Sequence, residues 1–152
     1  MANRHKSLVL FIVLVVGLGW IMGATNLPGA WYASLRKPSF NPPNWIFGPT
    51  WTVLYVMIAI AGWRTFLQDK TTAPAMQLWF AQMALNFMWS PVVFTVHNLA
   101  FGLAIIVTML SLIIGFIAVQ WRGNRRAALL VVPYAAWVAF ASLLNYSLYK
   151  LN

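Results

Sequence analysis

Side chains able to do acid–base or metal chemistry are scarce in this 152-residue chain, and their spacing argues against conventional catalysis. There is no cysteine, which removes disulfides, thiolate metal sites, iron–sulfur clusters and cysteine nucleophiles. Asp69 is the single carboxylate, so no acid–base pair of carboxylates can form. His5 and His97 are far apart and lack metal-ligand spacing, so no metal site is expected; His97 reads as a helix-end cap rather than a haem ligand.

What the chain does hold is indoles, phenols and amides at helical spacing. Gln82, Asn86 and Trp89 follow at four and three residues, which puts two amides and an indole on one stripe. Tyr134, Trp137, Ala141 and Asn145 form a second stripe, and Trp51 and Tyr55 a third. Amides facing lipid would go unsatisfied at several kcal/mol each, so the stripes are expected to face a helix-bundle interior. Two readings then stand level: interhelical hydrogen bonds, averaging about 0.6 kcal/mol each, or the wall of a ligand pocket. Such a pocket would suit a flat, largely apolar ligand with one or two polar groups.

The elements that must position these residues follow from composition. Residues of the set Ala, Val, Ile, Leu, Met, Phe, Trp, Tyr and Cys make up 62% of the chain and charged residues 7%, against roughly 45–50% and 25% in soluble domains. The net charge of +9 would suggest a nucleic-acid binder in another composition. Here the cations lie between apolar runs and read as topology signals, with membrane lipid and not nucleic acid as the partner. A bilayer core of about 30 Å takes roughly 20 helical residues. Five uncharged runs approach that length, at about residues 7–25, 45–63, 75–96, 99–119 and 127–149. The expected fold is an all-α integral membrane protein, a five-transmembrane-helix bundle forming one domain over residues 1–152. The first run follows Arg4 and Lys6 as a secretory leader would, but its length and its exit, which lacks a clear small-x-small site, favour a retained span.

Lys and Arg counts orient the bundle. A cytoplasmic N-terminus gathers Arg4, Lys6, Arg64, Lys70, Arg122, Arg125 and Arg126 inside and leaves Arg36, Lys37 and Lys150 outside, with the C-terminus. The connector 26–44 is then extracytoplasmic. Pro28, Pro38, Pro42 and Pro43 should make it stiff and non-helical, and Trp31, Tyr32, Phe40 and Trp45 should fold it onto the helix ends as a lid. Arg36 and Lys37 would pair with ligand carboxylates there or remain exposed interfacial cations. Trp63, Trp79 and Trp121, with Trp20 and Trp45, are assigned to interfacial belts, whereas Trp51, Trp89 and Trp137 lie deeper. Gly19 and Gly23 fit a GxxxG pattern, and Ala104, Thr108, Ser111 and Gly115 form a small-residue stripe for close helix packing, within the chain or between copies. Kinks are expected at Pro91 and more mildly at Pro133. Leu144, Tyr146 and Lys150 match the proposed cholesterol-contact pattern.

The segment Trp31-Tyr32-Ala33-Ser34-Leu35-Arg36-Lys37-Pro38-Ser39-Phe40-Asn41-Pro42-Pro43-Asn44-Trp45 resembles the first connector of the TspO/MBR family, the tryptophan-rich sensory and translocator proteins. Trp51-Thr52-Val53-Leu54-Tyr55, Asn86-Phe87-Met88-Trp89-Ser90-Pro91, Val132-Pro133-Tyr134-Ala135-Ala136-Trp137 and Leu144-Asn145 resemble its second, third and fifth helices. The resemblance implies a bacterial membrane receptor or sensor, often homodimeric, that binds porphyrins such as protoporphyrin IX as ligand and requires no cofactor. Sterols and isoquinoline-type ligands are bound by some members. It places Trp51, Asn86, Trp89, Trp137 and Ala141 in the cavity, under a lid containing Trp31, Pro42 and Pro43. It also implies two alternatives: light- and oxygen-dependent breakdown of porphyrin, with Trp51, Trp89 and Trp137 as the oxidisable groups, or translocation of porphyrin or lipid.

Overall fold

The computed structural model describes residues 2–68 and 73–152, and all regular structure among them is helical. Asp69 and Lys70 lie outside the described residues. The elements are α1 (Ala2–Thr25), a short α2 (Gly29–Ser34), α3 (Phe47–Gln68) entered through a 3₁₀ turn at Asn44–Ile46, α4 (Pro74–Ser90), α5 (Leu99–Gly123) and α6 (Arg125–Leu151). Four of the long helices, α1, α3, α5 and α6, have the length and hydropathy to cross a bilayer. The run expected at 75–96 is divided: α4 has 17 residues and passes at Pro91 into a π-helical turn, Pro91–Thr95. Proline has no N–H to give and its ring crowds the preceding turn, so wider bonding takes over there. Pro133, by contrast, is absorbed within an unbroken α6.

The helices outrun their apolar stretches, because residues beyond them continue to satisfy backbone hydrogen bonds within the helix. Asn98 caps α5 through a bond from the Phe101 amide (2.9 Å), and Asn124 caps α6 through one from Ala127 (3.2 Å). α5 packs between α4 and α6, α6 also against α3, and α3 also against α1. Gly19 admits the Tyr55 ring against α1, so this half of the GxxxG pattern serves packing within the chain. The stripe on α5 is divided: Gly115 faces Leu78 of α4, whereas Ala104, Thr108 and Ser111 are exposed, and both hydroxyls bond carbonyls of their own helix.

The connector 26–44 is less extended than its prolines suggest, since α2 forms directly after Pro28. It lies on the helix ends. Tyr32 packs with Leu144 and Leu148 and meets Phe94 edge-on at 5.5 Å. Trp31 stacks on His97 at 4.1 Å. His97 does not cap a helix with its side chain; it holds φ 60° where the π turn gives way to α5. Asn152 clasps the backbone of Arg36, accepting from its N–H (2.9 Å) and donating to its carbonyl (3.0 Å). The lid is thus fastened to α6 as well as to the π turn.

Candidate functional site

Beneath the lid is a cavity of about 1240 Å³, above the roughly 300–1,000 Å³ usual for small-molecule sites. Its walls come from every long helix. α3 contributes Trp51, Thr52 and Tyr55, α4 Asn86 and Trp89, and α6 Trp137, Ala141, Leu144 and Asn145. Ile106 and Met109 of α5, Gly19, Trp20 and Gly23 of α1, and Tyr32 and Lys37 of the lid complete it.

The cavity floor is a directed chain of hydrogen bonds across three helices. The Tyr55 hydroxyl donates to Asn86 Oδ1 (2.9 Å), Asn86 Nδ2 to the Tyr134 oxygen (2.7 Å), the Tyr134 hydroxyl to Gln82 Oε1 (2.8 Å), and Gln82 Nε2 to the Trp79 carbonyl (3.0 Å). Nearer the lid, Trp89 Nε1 donates to Asn145 Oδ1 (3.1 Å) and Asn145 Nδ2 to the Leu99 carbonyl (2.9 Å). The amides are therefore interhelical pins, and Asn86 and Asn145 border the cavity as well. Trp137 differs. Its Nε1 is buried without a hydrogen-bond partner among the described residues; the N–H is covered by its neighbours and meets an acceptor only if the ring turns. Its ring is braced by Phe47 at 5.8 Å and Phe140 at 5.6 Å, while Trp51 stacks on Tyr55 at 5.4 Å.

Among the residues expected at the site, the cavity gathers Trp51, Tyr55, Asn86, Trp89, Trp137, Ala141 and Asn145. Tyr134 lies below its floor, wholly buried, and Trp31, Pro42 and Pro43 belong to the lid without bordering the space. Arg36 is also outside the wall. Lys37 is in it, but its ammonium donates to the carbonyls of Tyr32, Ala33 and Leu35 at 2.7–3.2 Å and lies 4.8 Å from the Tyr32 ring centre. It therefore closes the end of α2. Burial pushes the Tyr32 phenol above its ordinary pKa, which keeps it a donor to Asn41 Oδ1 (3.3 Å). The pattern Leu144, Tyr146 and Lys150 is divided: Leu144 lines the cavity, whereas Tyr146 and Lys150 are exposed on another face. No three metal-ligating side chains gather among the described residues.

One tryptophan stands elsewhere than its distance from the span end suggests. Trp79 is not in an interfacial belt: it is 5% exposed, lies against Gly62 and donates to the Ile58 carbonyl (3.1 Å). α1 and α3 cover Trp79, with Phe11 of α1 5.7 Å from its ring. Trp20 is 63% exposed, in keeping with a belt position, and also borders the cavity, with Nε1 bonded to Thr52 Oγ1 at 3.1 Å. Gly23 near Trp20 was the available signal for the cavity border, since it leaves room beside α1.

This wall can stack a flat conjugated ligand; it presents no paired acid and base. A sequence profile of the TspO/MBR family matches residues 8–151. The chain is 35% identical over 151 residues to Protein CrtK of Rhodobacter capsulatus, covering 96% of this chain and 94% of that one. Identity is 32% over 150 residues to a tryptophan-rich sensory protein of Cereibacter sphaeroides, with 99% and 94% covered. The human translocator protein is 30% identical over 147 residues, with 91% and 86% covered.

Proposed function

Because this chain belongs to the TspO/MBR family and is an integral membrane protein, we propose that it is a receptor and sensor that takes a porphyrin into the cavity beneath its lid. The observation that carries this reading is the convergence of Trp51, Trp89 and Trp137 on one large, mostly apolar cavity. Indole faces would stack on the macrocycle, and a turn of the Trp137 ring would bring its unpartnered N–H to a peripheral carbonyl or carboxylate. In this reading α4 and its π turn, 22 residues in all, make a fifth crossing, with the N-terminus cytoplasmic and the lid on the opposite side. A second copy would approach over the outward small residues of α5.

Titration with protoporphyrin IX should quench tryptophan fluorescence. Trp51→Phe and Trp137→Phe should each weaken binding by about tenfold, or about 1.4 kcal/mol. An unchanged titration in both variants would remove this cavity as the site. The same three indoles favour a second reading, light- and oxygen-dependent breakdown of the bound pigment. It predicts loss of the Soret band under illumination faster than in detergent alone; equal rates would dismiss it.

A further inference from the structure

The end of the bundle away from the lid carries a cluster of positive charge that the cavity does not use. Arg64 and the exposed Arg122, Arg125 and Arg126 lie at this same end, where Gln120 Nε2 bonds Thr65 Oγ1 (2.7 Å) and Gln68 Nε2 bonds the Gly123 carbonyl (3.1 Å). Arg64 adjoins Thr65 and stands one helical turn before Gln68. Its Nε is buried and has no acceptor among the described residues. A buried guanidinium N–H without an acceptor is costly, and like charges beside it raise that cost. Arg125 is held in place by the Trp121 ring, 4.7 Å from its centre. Leu67 and Leu129, both exposed, offer apolar contact on the same end.

We propose that this end seats the phosphate of an anionic phospholipid, with Arg64 Nε as the buried donor, Arg122, Arg125 and Arg126 as the charged rim, and the acyl chains along the flanking apolar side chains. Guanidinium groups match phosphate oxygens as fixed, always-charged donors, and a chain embedded in lipid meets such headgroups at this depth. The seat is separate from the cavity and independent of its ligand.

The test uses the full chain in an uncharged detergent, with phosphatidylglycerol, phosphatidylcholine or inorganic phosphate added and retained lipid counted by native mass spectrometry alongside the melting temperature. Phosphatidylglycerol should be retained about tenfold over phosphatidylcholine, and R64Q should lose about tenfold of that retention, as expected for one charge-assisted hydrogen bond. R64K, which keeps the charge without the Nε donor, should also lose retention and decides the matter if R64Q does not fold. R4Q should leave retention unchanged. Equal retention of the two lipids, equal loss in R64Q and R4Q, or the same rise in melting temperature with inorganic phosphate would overturn the proposal. So would a D69N variant that destabilises the chain as much as R64Q while retention responds to neither, since Asp69 would then be the acceptor.

Discussion

Away from the lid, Gly62 lets the Trp79 indole lie flat against α3, and Met76, Ile113, Phe116 and Ala127 are almost wholly inaccessible. Beneath the lid, Gly23 and Gly48 have nothing within 4 Å of where a side chain would begin, and four indoles border open space. Both regions are rich in tryptophan and glycine. The difference lies in pairing: a glycine opposite an indole produces close packing, whereas a glycine opposite nothing leaves room for a guest.

Substitutions that exchange these two conditions should separate them. The largest loss is expected from Asn86→Leu, at the boundary between the regions, because it strands the Tyr55 hydroxyl and removes the donor to Tyr134. Reversible unfolding in detergent should show roughly 2–3 kcal/mol. A loss no greater than about 0.6 kcal/mol would make these bonds ordinary membrane contacts and weaken the distinction. Gly62→Val should cost about 1–3 kcal/mol by overpacking, read the same way, with protoporphyrin affinity unchanged in the folded fraction. At the lid, His97→Gly and His97→Ala both lose the stack on Trp31, but glycine alone accepts φ 60° without strain. Their unfolding free energies should differ by about 1 kcal/mol in favour of glycine. Gly23→Ala should be smallest, a gain of up to about 1 kcal/mol in stability, since the methyl enters open space.

Periodicity made most of the wall legible. Trp51 with Tyr55, Asn86 with Trp89, and Trp137, Ala141 and Asn145 share helix faces, and a buried face follows directly from a 3.6-residue repeat. The same repeat placed Tyr134 with them, yet it cannot say where along the axis a cavity ends, and Tyr134 lies just below the floor. Trp79 was misplaced because apolar runs end before helices do, and α1 and α3 cover it. Pro91 announced an interruption of the third run but not its form, a π turn. In the lid, composition foretold closure, whereas contact depended on turns: Trp31 goes to His97 and Lys37 to three carbonyls.

The split pattern on α6 has a practical outcome. Leu144 and Tyr146 are two positions apart and point into different media, one into the cavity and the other outward from the bundle. A scan of fluorescent or spin probes down this helix should therefore oscillate with a period near 3.6, alternately reporting guest binding and the composition of the surrounding lipid.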